Sequence, residues 1–540
     1  MSGAASRTRR TWRIRSRKAA GAFTLSAGSL YGSLDSPKPV AALCQLGHSR
    51  DEHPARRGRG GARRREIDEA DDLDLLVARQ RLDFPNDLAC VHRRHVTAEE
   101  RADQTRTERE PRQELPIGEG TLIAPLAKWS GPFYDLHHIG LVTERPRLYT
   151  AILHDHLERH RQMALVSGPR QVGKTTACRS LADAYLNWDN TDDRRQFLRG
   201  PAALAQGLEL DRLRARPLVA VFDELHKHAK WKTLLKGFFD THGDRVRLLV
   251  TGSSRLDVFR RGGDSLMGRY LLYRMHPWSV GECVRTDLPT RELQPPAEVA
   301  SDDWDALWEH GGFPEPFLRR ESRFTRRWRS LRQEQLSRED LRDLAHIADL
   351  GTMETLMQLL AERSAQQLVY SNLAQEIQVA VDTVKRWIDL LCRMHYGFMV
   401  RPWFANVAKA LRKEPKWFLR DWSGLADDGA RAETFVACHL LKAVEGWTDL
   451  GIGDFELRYL RDKQKREVDF LVVRDRKPWF LVEAKLADTR LSPALACFQA
   501  QTKATHAFQV VMTLPYERAD CFGIHRPVVV PARTFLSQLL

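Results

Sequence analysis

A glycine-rich stretch in the first half of the chain has the residue types and spacing of a phosphate-binding loop. It reads MALVSGPRQVGKTT, in which Gly168, Gly173, Lys174 and Thr175 follow an apolar run and precede a helical pattern. Glycines let the backbone bend so that its amides point at phosphate, and the helix N-terminus adds positive potential. The lysine then reaches the β- and γ-phosphates, while the threonine hydroxyl ligates Mg²⁺. The stretch therefore predicts a site for a nucleoside triphosphate with Mg²⁺.

Nine consecutive residues of this stretch are expected to surround the phosphates of ATP: Gly168, Pro169, Arg170, Gln171, Val172, Gly173, Lys174, Thr175 and Thr176. A second motif lies downstream, where the apolar run RPLVAVFDELHK contains Asp223 and Glu224 at its end. A carboxylate at the end of a buried strand can hold Mg²⁺, and the next one can activate water as a general base. We therefore expect Thr175 and Asp223 to ligate Mg²⁺, with Lys174 and Glu224 as catalytic residues.

Two later segments are candidates to complete this site. The apolar run VRLLVTGSS ends in Thr251 and Ser253, at the place where a polar residue of a nucleotide-binding sheet meets the γ-phosphate. Arg269, in SLMGRYLLYRM, is a candidate ligand of the same phosphate, either within one chain or as a finger that reaches a neighbouring copy in a homo-oligomer. A structural ion pair is the alternative for Arg269, and the sequence leaves the choice open.

Five separated stretches occur in an order that resembles a large prokaryotic group of AAA-type P-loop ATPases, similar to archaeal-type ATPases. They are GPRQVGKTT, FDELHKHAKWKTLLK, TGSSRLD, SLMGRY and GGFPEPFL. The resemblance covers roughly residues 145–520. It implies ATP and Mg²⁺ as cofactors and a Walker B role for Asp223 and Glu224. The group also carries a C-terminal domain of unknown function.

A second set of chemistry-bearing residues lies in REVDFLVVRDRKPWFLVEAK, residues 466–485. Its alternation predicts a hairpin with a turn over residues 474–478. Pairing backwards from Val473 and Trp479 sets Asp469 opposite Glu483. Residues that pair directly share one face of a sheet, so both carboxylates are expected within reach of one cation.

Two facing carboxylates repel each other unless a cation lies between them. We therefore predict a metal site at Asp469 and Glu483. Lys485 lies on the same face, placed to hold an attacking water or to stabilise a developing phosphorane, so all three residues are expected to be catalytic. The alternative is a structural network in which Lys485 neutralises both carboxylates and Glu467 is a further partner of a lysine.

This D…ExK arrangement resembles that of the PD-(D/E)xK nuclease-like fold. That fold often places a glutamate on the preceding helix and a glutamine on the following one. Here ARAETFVACHLL offers Glu433, and ACFQAQTKA offers Gln499 or Gln501. The resemblance implies a restriction-endonuclease-like domain, and it leaves open whether the site cleaves nucleic acid.

These motifs fall into three regions of a predicted α/β fold. A P-loop, AAA-like domain with a parallel sheet spans 145–285, a helical region with a winged helix near 365–405 spans 286–415, and a restriction-endonuclease-like α/β domain spans 416–540. The second helix of the winged helix begins DTVKRW, so Lys385 and Arg386 are placed to touch DNA phosphates. Packing of this module against the ATPase domain is the alternative.

The overall composition gives expectations about the binding partners and the cellular compartment. A net charge of +14 over 540 residues favours polyanions such as DNA. Residues 1–140 alternate basic and acidic clusters, which is typical of a disordered or over-extended segment. The eight cysteines include no CxxC pair, so neither a zinc site nor a disulfide framework is indicated, and a cytoplasmic location is expected. No apolar run is long enough to suggest a membrane partner.

Overall fold

The computed structural model describes residues 145–252, 266–337, 350–404 and 413–540. These residues belong to one compact unit of the chain, organised by two β-sheets. The predicted N-terminal segment 1–140 and the candidate phosphate contact Ser253 lie outside the described residues.

The first described region alternates strands and helices, as the sequence predicts. In chain order it contains α1 (Leu148–Arg159), β1 (Met163–Ser167), α2 (Lys174–Arg179), β2 (Ala184–Asn187), α3 (Thr191–Arg199), α4 (Pro201–Gly207), β3 (Leu218–Asp223), α5 (Trp231–His242), β4 (Val246–Thr251) and β5 (Tyr270–Arg274). All five strands are parallel, in the order β2–β3–β4–β1–β5. The strands β1 and β3 are buried along their whole length, because helices cover both faces of a parallel sheet.

The strand order decides which residues meet at the edge of this sheet. Strand β4 lies between β1 and β3, so the carboxyl ends of all three strands are neighbours. Ligands of open parallel sheets bind outside these carboxyl ends. The glycine-rich loop after β1, Asp223 at the end of β3 and Thr251 at the end of β4 therefore face one region.

Helices dominate the middle of the chain. They are α6 (Val280–Val284), α7 (Ser301–His310), α8 (Pro314–Arg319), α9 (Ser322–Gln335), α10 (Leu350–Glu362), α11 (Tyr370–Glu376) and α12 (Val381–Arg393). The last three pack around one apolar cluster that includes Leu356, Leu373 and Ile388. Across the described ranges, no helix combines the length and the apolar character that crossing a bilayer requires.

The second sheet joins the middle of the chain to its C-terminal part. Its strands are β6 (Gln366–Gln367), β7 (Gly397–Pro402), β8 (Lys416–Leu419), β9 (Phe455–Arg461), β10 (Glu467–Arg474), β11 (Lys477–Lys485), β12 (His506–Val511) and β13 (Val528–Pro531), with helices α13 (Asp428–Asp449), α14 (Pro493–Thr502) and α15 (Ala532–Ser537). The strand order is β13–β12–β11–β10–β9–β7–β8–β6. Because β7 pairs in parallel with β9, the predicted boundary between residues 415 and 416 falls within one continuous sheet.

The hairpin of β10 and β11 has a tighter turn than the sequence predicts. Arg474 pairs with Lys477, so the turn contains only Asp475 and Arg476, both with positive φ. Positive φ at both positions matches the twist of a two-residue hairpin. Val473 pairs with Pro478 rather than with Trp479, and a bulge restores the expected register at the next pairs.

A buried carboxylate connects the two parts of the fold. Glu282 of α6 is fully buried, and its Oε1 accepts hydrogen bonds from Arg147 Nε at 2.7 Å and from Leu148 N at 2.8 Å. Its other oxygen contacts the ammonium of Lys442 on α13. Burial opposes ionisation of Glu282, but Arg147 and Lys442 outweigh it and lower the pKa to about 2.

Replacing this carboxylate should strongly destabilise the fold. In Glu282→Gln, two buried cations lose their counter-charge, so we expect the free energy of unfolding at pH 7 to fall by about 3–5 kcal/mol. Chemical denaturation measures this change. Because the pKa of Glu282 is lowered from 4.5, its contribution is present above that pH and is lost as the pH falls toward 2.

The matched control for this substitution is Glu298→Gln, at an exposed position, which should leave stability nearly unchanged. Equal stability of the two variants at pH 7 would contradict the role of Glu282.

Candidate functional site

The loop between β1 and α2 has the backbone geometry that its glycines predict. Gly168 and Gly173 have φ values of +145° and +97°, and Gln171 also lies in the left-handed region at +60°. A Cβ atom on Gly168 would lie only 2.3 Å from the carbonyl oxygen of Met275, so glycine alone fits there. The loop is thus held against the chain that follows β5.

Lys174 is buried directly behind this loop. Its side chain is only 7% exposed, and its ammonium donates hydrogen bonds to Gly168 O at 3.0 Å and to Pro169 O at 2.7 Å. Burial lowers the pKa of Lys174 to about 8, although the nearby carboxylates of Glu224 and Asp223 act to raise it. Two neutral carbonyls are weak partners for a buried charge, and a phosphate held by the loop would be a stronger one.

Asp223 is the centre of a hydrogen-bond cluster at the carboxyl edge of the sheet. Its Oδ2 accepts from Thr175 Oγ1 at 2.9 Å and from the Tyr185 hydroxyl at 2.7 Å, while Thr251 donates to Oδ1. The two residues predicted to ligate Mg²⁺ are therefore in contact. The sequence gives no sign of Tyr185, because its place beside Asp223 follows from the pairing of β2 with β3.

Glu224 directly follows the strand that ends in Asp223. It adopts a left-handed conformation, with φ of +54°, and its amide donates to Thr251 O at 3.2 Å. Its carboxylate lies 3.4 Å from Lys227 Nζ and 3.6 Å from His226 Nε2, and the side chain is 23% exposed. Partial exposure beside the predicted Mg²⁺ ligands is what a base acting on a water molecule requires.

Arg269 lies at the opposite edge of this sheet. Its carbonyl accepts from the amide of Met163, the first residue of β1, at 2.8 Å. Its guanidinium forms a bidentate ion pair with Asp240 of α5, in which Nε lies 2.6 Å from Oδ1 and Nη2 lies 3.0 Å from Oδ2. The structure therefore does not bring Arg269 to the loop within one chain, and the ion pair agrees with the structural alternative. The arginine that does contact the loop is Arg147, whose Nη1 donates to Val172 O at 2.7 Å.

The C-terminal sheet brings the second set of predicted residues together. The pairing of β10 with β11 extends as far as Phe470 with Val482, the residues next to Asp469 and Glu483, and Asp469 Oδ2 accepts from the amide of Ala484 at 3.0 Å. Lys485 Nζ lies 2.9 Å from Glu483 Oε1. Both carboxylates are buried, whereas about a third of the Lys485 side chain is exposed.

A lysine that the sequence pattern does not reveal lies beside Asp469. Lys416, the first residue of β8, is 3% exposed, and its Nζ lies 2.5 Å from Glu433 Oε1, 2.8 Å from Glu467 Oε1 and 3.2 Å from Asp469 Oδ1. Burial disfavours the charged form of Lys416, but these three carboxylates outweigh it and raise the pKa. Two lysines, Lys416 and Lys485, therefore supply positive charge to these carboxylates.

The outer residues suggested by the nuclease-like fold divide into two groups. Glu433 belongs to the cluster, where burial and Asp469 raise its pKa to about 8, and the same two causes raise the pKa of Glu483 to about 7. Gln499 instead donates to backbone carbonyls, and Gln501 contacts a cysteine on its own helix. Within the described ranges, no group of three or more His, Cys, Asp or Glu side chains has the arrangement of a metal site.

The loop, the contact between Thr175 and Asp223 and the strand order are those of a P-loop nucleotide-binding domain. The family described as "AAA domain" matches residues 160–284, so this part of the chain is similar to AAA domains. Two families described as domains of unknown function match most of the remainder, DUF8612 over 301–427 and DUF4143 over 428–533. These two descriptions assign no activity.

Relatives with curated sequences come from mycobacteria. The uncharacterized proteins Rv2008c of Mycobacterium tuberculosis and Mb2031c of Mycobacterium bovis are each 28% identical over 263 residues, which is 48% of this chain. The match spans 54% of each relative, so about half of their length is represented.

Among solved structures, the Aeropyrum pernix ORC1 protein in complex with DNA is 16% identical with a TM-score of 0.25, and it covers 54% of this chain and 90% of that chain. Cdc6p from Pyrobaculum aerophilum is 14% identical with a TM-score of 0.21, covering 47% and 85%. Likenesses of this size carry no conclusion about the present chain.

The geometry of Gly168 generates a test of the loop. In Gly168→Ala, the new Cβ collides with Met275 O and forces the loop out of position, so we expect affinity for ATP to fall about tenfold or more. Isothermal titration with ATP and Mg²⁺ measures the affinity.

Gly237→Ala is the matched control, because a Cβ at this position in α5 meets only Pro201 Cγ, at 3.7 Å. It should keep full ATP affinity and gain about 0.5–1 kcal/mol of stability. Unchanged ATP binding in Gly168→Ala would show that the loop is not the nucleotide site.

Proposed function

We propose that the chain binds ATP with Mg²⁺ at loop 168–176 and hydrolyses it. The contact of Thr175 with Asp223 carries the proposal, because these two oxygen ligands come from separate elements and meet beside the buried Lys174. Hydroxyl and carboxylate oxygens suit Mg²⁺, which favours hard ligands and keeps several waters. The residues therefore fit the nucleotide and the metal ion together.

Each residue then has a distinct part in hydrolysis. The loop amides bind the phosphates, and the Lys174 ammonium exchanges its two carbonyl partners for phosphate oxygens. Thr175 and Asp223 hold Mg²⁺, which supplies neutralising charge when bound. Glu224 accepts a proton from the attacking water, and Thr251 keeps Asp223 oriented through its hydrogen bond.

Two substitutions separate binding from hydrolysis. Lys174→Ala should abolish nucleotide binding, because it removes the cation that contacts the phosphates. Glu224→Gln should retain ATP affinity and reduce turnover by about 10²–10⁴-fold, because the amide cannot accept the proton. Titration calorimetry and phosphate release measure the two effects. Normal ATP affinity in Lys174→Ala would remove the central claim.

Nucleic acid is the partner that the middle of the chain supports best. Helices α10, α11 and α12 with strands β6, β7 and β8 have the element order of a winged helix. On α12, Lys385 and Arg386 are exposed, and within the described part of the chain they form hydrogen bonds with Asp382 and Thr383 of their own helix. Long exposed cations on one helix fit phosphate contacts, and the net charge of +14 agrees with a polyanionic partner.

Charge reversal on α12 tests this partner. The double variant Lys385→Glu/Arg386→Glu should weaken DNA binding and lower the dependence of log K on log salt by about one for each lost contact. Fluorescence anisotropy with duplex DNA at several salt concentrations measures both. The control Lys230→Glu/Lys236→Glu makes the same charge change at exposed positions of the AAA domain. Equal losses in the two variants would show that α12 is not the contact surface and would favour packing as its role.

Metal-dependent cleavage of nucleic acid is a second candidate function. The observation that favours it is the placement of Asp469, Glu483 and Lys485 on one face of paired strands. A divalent ion bound there would polarise a phosphodiester, and Lys485 would orient the attacking water. In the alternative, the C-terminal region binds its partner without cutting, under the control of the nucleotide.

A further inference from the structure

We infer that Lys416 is the resident cation of the carboxylate cluster, and that its ammonium competes with a divalent metal ion for the carboxylate of Asp469. The cluster consists of Glu433, Glu467, Asp469 and Glu483. Displacement of Lys416 would convert it into a site for Mn²⁺ or Mg²⁺. The inference rests on the proposed nuclease-like function in one respect only, which is the choice of a divalent metal ion as the ligand.

The ammonium contacts Asp469, a carboxylate that a metal ion bound in the cluster would also need. Lys416 Nζ is the common neighbour of Glu433, Glu467 and Asp469, at 2.5 to 3.2 Å. Mg²⁺ requires oxygen ligands at about 2.0–2.1 Å, so carboxylates arranged around an ammonium are too widely spaced for the metal. The spacing agrees with the finding that, among the described residues, no group of three or more His, Cys, Asp or Glu side chains is arranged as a metal site.

The charges of the cluster point the same way. Arg461 pairs with Glu467, and Lys485 pairs with Glu483, so with Lys416 three formal positive charges face four carboxylates. Without Lys416 the excess is two negative charges, the amount that one divalent cation neutralises. A buried cluster with this excess requires either a cation or bound protons.

One carboxylate oxygen in the cluster has no hydrogen-bond partner among the described residues and could therefore bind a ligand. Glu483 is 8% exposed, and its Oε2 is buried without a hydrogen-bond partner among the described residues. An unsatisfied carboxylate oxygen at such a position is costly. A metal ion between Glu483 and Asp469 would coordinate this oxygen, whereas Lys416 reaches only Asp469 of the two.

The lysine comes from a different part of the chain from the carboxylates around it. Lys416 begins β8, which pairs with β7 and β6, while Glu467, Asp469 and Glu483 lie on the hairpin. Its ammonium is carried on a flexible four-carbon stem, so rotation of the side chain can vacate the place without breaking the sheet. The strand that follows the predicted winged-helix segment therefore controls access to the cluster.

Metal binding by a variant without this ammonium tests the inference. In nucleotide-free protein, Lys416→Met should bind one Mn²⁺ per chain at least tenfold more tightly than the wild type, measured by loss of the electron paramagnetic resonance signal of free Mn²⁺. The additional substitution Asp469→Asn should remove that binding. Lys477→Met, an exposed lysine at the other end of β11, is the matched control and should behave as the wild type.

A charge-balanced variant covers the case in which Lys416→Met fails to fold. Lys416→Gln with Glu467→Gln removes one positive and one negative charge, leaves Glu433, Asp469 and Glu483, and should also gain the Mn²⁺ site. Two results would overturn the inference. One is stoichiometric Mn²⁺ binding by the wild type that Asp469→Asn abolishes, and the other is a folded Lys416 variant that gains no Mn²⁺.

Cleavage and ATP binding are measured on the same proteins, so the separate proposals can fail separately. Mn²⁺ binding without cleavage of linear or branched DNA would leave the role of Lys416 intact and remove the nuclease candidate. Normal ATP affinity in the Lys416 variants is expected, because the phosphate loop belongs to the other sheet. A loss of ATP affinity together with Mn²⁺ binding would not affect the inference about the cluster.

Discussion

The carboxylate of Glu282 holds together parts of the chain that are far apart in sequence. It binds Arg147 before the first helix and Lys442 on α13, and Arg147 in turn donates to the carbonyls of Val172 and His276. A buried ion pair of this kind contributes little net stability over an apolar contact, but it is costly to leave incomplete. The phosphate loop and helix α13 can therefore move apart only if buried charges are exposed or left unpaired.

The same physical constraint explains the Lys416 cluster. Four carboxylates lie where the sheet and helix α13 meet, and a lysine from β8 provides the compensating charge. Because β8 is continuous with β7 and β9, the proposed winged helix and the cluster are parts of one sheet. A partner bound at α12 would therefore contact a module that shares this sheet with the cluster.

Local patterns in the sequence predicted the elements well, because the phosphate loop, the parallel strands and the hairpin each depend on neighbouring residues. The detail of the hairpin was wrong at its turn, where two residues with positive φ replace the five expected and a bulge at Trp479 absorbs the difference. Arg147, Tyr185, Glu282, Lys416 and Lys442 escaped notice for one reason. Their roles arise from pairing between distant segments, and a single charged residue in an apolar run carries no sign of its partner.

The case of Lys416 shows why a D…ExK string does not by itself establish cleavage. The string places Asp469, Glu483 and Lys485 on one face, which a hairpin does in any sheet with this register. Whether a metal binds depends on what else reaches the carboxylates, and here the decisive group lies 53 residues before Asp469. A lysine at that position replaces the positive charge of a metal ion but not its chemistry. An ammonium pairs with carboxylates but provides no open coordination position for water or phosphate. In the resting cluster Lys416 contacts Asp469 where a metal ion would otherwise bind, so hydrolysis at this site would first require that side chain to move.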